Sequence, residues 1–70
     1  MITNEHFPEC AAFTVNAFCK AHSISRSLFY KGLAEGWGPV TMKVASRTLI
    51  SVEAAADWRH RMEQASKDAA

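Results

Sequence analysis

Residues Thr14–Gly36 read TVNAFCKAHSISRSLFYKGLAEG, and their spacing decides the architecture. Val15, Phe18, Cys19 and His22 fall at i, i+3, i+4 and i+7, which is one face of a helix. Thr14 precedes them with a hydroxyl that can accept from the free amides of a first turn. A helix over 15–22 is predicted, only about two turns long, so packing must hold it. Ser23-Ile24-Ser25 interrupts the pattern with a lone apolar residue between two hydroxyls. Ser25 then suits the N-cap of a second helix over 26–35, on which Phe29 and Leu33 share a face at i, i+4. Gly32 reads as a weak point inside it, about 1 kcal/mol worse than Ala. Gly36 suits the C-terminal stop, and Gly38-Pro39 prevents continuation.

Downstream, Val40-Thr41-Met42-Lys43-Val44 alternates apolar and polar, the pattern of a half-buried strand. Arg47-Thr48-Leu49-Ile50 follows as a second β-branched run after Ala45-Ser46, so a hairpin is predicted. Its turn lacks Gly, Asn and Asp, which leaves its type open. Ser51 can cap a third helix with Glu53 and Asp57 near its positive end. Ala55, Trp58 and Met62 lie on one face of that helix. Upstream, residues 1–12 show no period and Pro8 disfavours helix at Phe7, so they read as an arm. Residues 67–70 read as a frayed tail. The expected fold is mainly α with a β-hairpin, in the order helix-helix-hairpin-helix, with the domain at 13–66.

Composition bounds what such a chain can do. At 70 residues it is one small domain that buries about 60% of its unfolded surface. That is too little for a doubly wound nucleotide fold or a barrel enzyme. The apolar fraction of 49% suits a folded globule. No run of apolar residues is long enough to span a membrane. MITNEHFPEC carries Glu5 and Glu9 and no Lys or Arg, unlike a signal peptide, so a cytoplasmic location is expected. Cys10 and Cys19 are then expected as free thiols, with Cys19 a small core residue. A zinc site from His6, Cys10, Cys19 and His22 is the metal alternative. Cys19-x-x-His22 allows two ligands on one turn, but the other pair has no recognised spacing, and no cofactor or metal is expected. The histidines are scattered, and no Ser-His-Asp set, paired carboxylates or phosphate loop is visible. Enzyme activity is therefore not expected.

Charge is informative in its distribution. The whole chain carries +1, but residues 20–47 hold Lys20, Arg26, Lys31, Lys43 and Arg47 against Glu35 alone. A basic segment between near-neutral flanks suits an anionic partner, with nucleic acid first. Two short helices joined by a three-residue turn with an apolar centre form a helix-turn-helix pattern. Phe29 and Leu33 point inward. Ser27, Lys31, Ala34 and Glu35 point outward, Leu28 and Tyr30 lie on the flanks, and Arg26 sits at the N-terminal end. Arg26, Ser27, Tyr30 and Lys31 are the candidate readers of a major groove. Lys43, Ser46 and Arg47 at the hairpin, with Thr14 at helix one, are the candidate backbone contacts. Edge-strand protection is the alternative role for the hairpin lysine. Arg59 and Arg61 are expected to be solvated or to pair with Glu63 or Asp57.

The stretch from Phe13 to Met62, above all SISRSLFYKGLAEGWGP followed by a basic hairpin and LISVEAAADW, resembles the small winged-helix excisionase and AlpA-type regulators related to the MerR DNA-binding domain. The resemblance implies a winged helix-turn-helix fold with a recognition helix at 26–35 and a wing at 40–50. It also implies a bacterial or prophage regulator, or a recombination directionality factor acting beside an integrase. In that family the Ser23 position is often Gly, and the wing turn often carries Gly where Ala45 stands and more Arg than here. Partners expected on this reading are double-stranded DNA, an integrase or recombinase, and further copies of the chain on adjacent sites. A protein-interaction module that uses Trp37, Leu28 and the last helix, without DNA, is the competing expectation.

Overall fold

Local cap chemistry sets the helix starts. In the computed structural model, which describes residues 11–69, Thr14 Oγ1 accepts from the Ala17 amide at 3.1 Å, Ser25 Oγ from Leu28 at 3.0 Å and Ser51 Oγ from Ala54 at 2.9 Å. Each such cap satisfies an amide that the helix itself cannot, for about 1 kcal/mol. The elements run β1 (Ala12–Thr14), α1 (Val15–Ala21), α2 (Arg26–Glu35), β2 (Met42–Val44), β3 (Arg47–Ser51) and α3 (Val52–Ala69). The result is a mostly helical molecule with an antiparallel sheet, and the expected order helix-helix-hairpin-helix holds.

Both short helices end in the same motif. The Ile24 amide reaches the Cys19 carbonyl at 3.0 Å and the Ser23 amide that of Lys20 at 3.3 Å. At α2 the Trp37 amide reaches the Gly32 carbonyl at 2.9 Å and the Gly36 amide that of Leu33 at 3.4 Å. These are Schellman closures, which need a left-handed residue after the helix. Gly36 takes that place at φ 88, whereas at α1 it falls to Ser23 at φ 58. Ile24 and Trp37 are then the apolar residues that each closure turns back onto the core.

The core is Val15, Phe18, Cys19, Phe29, Ile50, Ala55 and Trp58. Phe18 is its centre, with ring centroids of Phe29 at 5.5 Å, Trp58 at 5.3 Å and Phe13 at 6.0 Å. Edge-on aromatic contacts of this kind add about 0.5–1.5 kcal/mol beyond the area they bury. Gly32, read from sequence as a weak point, is instead a seat for the Trp37 indole. A Cβ there would come within 2.8 Å of that ring. Trp37 in turn accepts at its carbonyl from Trp58 Nε1 at 2.9 Å, tying α2 to α3.

The sheet departs from expectation in two ways. First, it has the order β1-β3-β2, because Ala12–Thr14 pairs with the free edge of β3. The sequence reading places that segment in the arm and in the residues leading into helix one, because three residues are too few to show alternation. The rest of the arm, 1–10, lies outside the described residues. Second, the strand expected over 40–44 covers only Met42–Val44, and it is not half-buried. Val40, Met42 and Val44 are 67%, 41% and 52% exposed. Ile50 on β3 is fully buried in the core and Phe13 on β1 packs against it, while β2 is an edge whose two faces both meet solvent. The hairpin itself is as expected: it closes on Ala45-Ser46 with Val44 opposite Arg47. Ala45 has φ 56 and Ser46 does not, the sign pattern of a type II′ turn.

Helix α3 runs through Ala69, so it takes in 67–69, the residues that the sequence reading assigns to the tail. Its last turns, EQASKDA, are mostly good helix formers, and Lys67 meets the negative end of the dipole.

Candidate nucleic-acid interface

The exposed side of α2 follows from what its other side buries. Phe29 and Gly32 are buried and Leu33 is half-buried. At 100° per residue this leaves Ser27, Tyr30, Lys31 and Ala34 on the opposite arc, with Arg26 at its N-terminal end. Arg26, Ser27, Tyr30 and Lys31 are all exposed, as are Lys43, Ser46 and Arg47. None of the four α2 and hairpin cations has a carboxylate of the described residues within 4.0 Å. Glu35, the one acid in this basic segment, instead accepts from Trp37 Nε1 at 2.9 Å.

Arg26 is not a free cation. Its Nη1 donates to Asn16 Oδ1 on α1, and its guanidinium carbon lies 5.7 Å from the centroid of the Tyr30 ring. Tyr30 packs edge-on against the buried Phe29 at 5.1 Å. Asn16 was not among the residues expected from sequence. The pairing crosses from one helix to the next, and no spacing within either helix signals it. Thr14 is half-buried and its hydroxyl is occupied by the Ala17 cap, so its first role is structural.

The hairpin cations stand on different faces. Residues opposite one another in an antiparallel pair share a face, and neighbours along a strand alternate. Lys43 pairs with Thr48 and so lies on the face of Ile50, toward the helices. Arg47 pairs with Val44 and lies on the outer face with Met42 and Leu49. The two do not form one ridge; they flank the finger. Ser46 sits between them in the turn.

Two further cations stand on α3, two residues apart and so on different faces of it. Arg61 pairs with Asp57 at 3.1 Å and reaches the Gly38 carbonyl at 3.4 Å. Arg59 Nη1 lies 3.0 Å from His22 Nε2, while His22 Nδ1 lies 2.8 Å from the Phe18 carbonyl. A carbonyl only accepts, so Nδ1 is the donor there and Nε2 accepts from Arg59. The His22 ring stacks on Phe18 with centroids 4.2 Å apart, so it is packing material. Cys19 is buried, with Sγ 3.8 Å from the Ser25 carbonyl. Burial pushes its thiol above the ordinary value, and the Arg26 charge opposes this. Among the described residues no three metal-ligating side chains gather. His6 and Cys10 of the zinc alternative lie outside those residues. No described helix is long and apolar enough to cross a membrane. No protein-family model matches the chain, and no curated protein or solved structure matches it either.

Proposed function

We propose that this chain is a winged helix-turn-helix protein that binds double-stranded DNA sequence-specifically in the cytoplasm. It would act as a regulator or excisionase of a prophage or mobile element, with no catalysis or cofactor of its own. On this reading α2 enters the major groove with Arg26, Ser27, Tyr30 and Lys31, and the β2–β3 finger meets the backbone through Lys43, Ser46 and Arg47. The observation that carries the reading is the set of cations on α2 and the finger, exposed and without carboxylate partners among the described residues. Such charges are held ready for phosphates. The left-handed Ser23 and Ala45 add support, because they are the two positions where the resembling family often has Gly. A module this small reaches few base pairs, so useful affinity calls for further copies on adjacent sites or for an integrase partner. The test is retention on DNA-cellulose at low salt, with elution by added salt. Passage through the column at low salt would refute the proposal.

The exposed Val40, Met42 and Val44 favour a second reading, a docking module for a recombinase or transcription partner. Trp37, expected from sequence to serve that role, is engaged with Gly32 and Trp58. If Met42→Ser with Val44→Ser abolishes function while DNA retention is unchanged, this second reading gains.

A further inference from the structure

We infer that Asn16, on α1 and outside the recognition helix, is a positioning residue that makes Arg26 a reader of guanine; this rests on the DNA-binding reading above. Arg26 is the first residue of α2, at the seam with α1. Two groups hold its guanidinium there. Asn16 Oδ1 takes one hydrogen of Nη1, and the Tyr30 ring lies beside the guanidinium carbon. Both supports lead back to the core: Tyr30 rests on Phe29, which is 1% exposed, and Asn16 follows Val15, a core residue of α1. An arginine side chain carries about 2 kcal/mol of rotamer entropy, most of it lost on binding unless the group is already held.

Chemistry then selects the target. Arginine has five N–H donors in a planar fork. With one given to Asn16, the Nε–Nη2 edge remains whole, and it matches the paired O6 and N7 acceptors of guanine in the major groove. Lys31, by contrast, has neither an amide nor a ring among the described residues to hold it as Arg26 does, and it suits a phosphate, which demands no fixed orientation. The split predicts that discrimination passes through Asn16 and Arg26 while general affinity does not.

The experiment uses the full chain and a pool of duplexes with randomised centres. Bound duplexes are selected and sequenced for the natural chain, Arg26→Ala, Asn16→Ala and Asn16→Asp. The natural chain should select a guanine that Arg26→Ala no longer requires. Asn16→Ala should lower the preference for that guanine about 10-fold, with the salt slope on a scrambled duplex unchanged. Asn16→Asp should restore the preference, because a carboxylate also accepts from Arg26. Three results overturn the inference and leave the DNA reading standing. They are a selected motif with no guanine dependent on Arg26, a preference unmoved by Asn16→Ala, and equal weakening on selected and scrambled duplexes. If the natural chain retains no duplex from the pool even at low salt, the DNA reading itself falls, and the inference with it.

Discussion

Gly32→Ala tests how α2 is held. Helix propensity alone says that the change should help, by about 1 kcal/mol. The structure says otherwise. The added Cβ would stand 2.8, 2.9 and 3.0 Å from Cζ3, Cε3 and Cη2 of Trp37. Comfortable carbon contacts begin near 3.5 Å, so the ring must retreat by about 0.6 Å. It is tethered in three ways. Its amide is bonded to the Gly32 carbonyl at 2.9 Å, its Nε1 to Glu35 at 2.9 Å, and its carbonyl to Trp58 Nε1 at 2.9 Å. Overpacking costs about 1–3 kcal/mol, and leaving the Trp58 N–H unpaired costs about as much again. Together these exceed the propensity gain, for a net loss of about 3 kcal/mol. In a domain of this size that lowers Tm by about 12–24 °C. Urea titration followed by tryptophan fluorescence measures it, and the midpoint should fall with the slope unchanged. Trp37→Leu in the same background should recover part of the loss, because a smaller side chain leaves room for the methyl. A Gly32→Ala chain at least as stable as the natural one would refute the seat and leave Gly32 as a mere propensity defect.

Other consequences are simpler to read. Ser23→Gly and Ala45→Gly should each stabilise by about 0.5–1 kcal/mol, since a left-handed backbone strains a residue with a Cβ by more than glycine loses in entropy; a lower Tm for both would show no strain at these turns. Lys43→Ala and Arg47→Ala should each reduce the salt slope of DNA binding by about one, and the double variant by about two, with all sequences affected alike. A double variant no worse than either single one would mean that only one face of the finger meets phosphate. Cys19 in the folded chain should alkylate more slowly near pH 8 than in urea, with peptide mapping to separate it from Cys10. Because burial raises its pKa, its share of stability is full below the ordinary thiol value and declines as pH climbs toward the raised one; faster labelling in the folded state would contradict this.

What was legible in the sequence is what depends on near neighbours. Thr14, Ser25 and Ser51 cap the helices as read, because a cap involves only three residues. Val15, Phe18, Cys19 and Phe29 are buried as their spacing requires. The sheet was half legible. Alternation over 40–44 finds a strand but wrongly makes it half-buried, because it cannot say whether either face meets the core, and here neither face of β2 does. β1 escaped because its evidence is its partner, β3, far along the chain. Of the candidate readers, the helical wheel alone places Ser27 and Lys31 on the outer arc of α2, Tyr30 on its flank and Arg26 at its N-terminal end. That Asn16 grips Arg26, that Trp37 sits on Gly32, and that Lys43 and Arg47 part to opposite faces all depend on tertiary register, which no local spacing encodes.

These three facts together argue for a division of labour in the proposed complex. Helix α2 is capped by Ser25, closed by Gly36, pinned through Phe29 and held at its far end by Trp37. Arg26 inherits that rigidity through Asn16 and Tyr30. The finger is the opposite case. β2 buries none of its residues and is joined to the sheet through β3 alone. Segments with so little buried surface open most readily. Reading bases demands donors held to within a fraction of an ångström, whereas a phosphate accepts charge from many directions. A rigid helix is thus suited to discrimination, and a compliant finger with a cation on each face is suited to the two walls of a neighbouring groove, adjusting to its width.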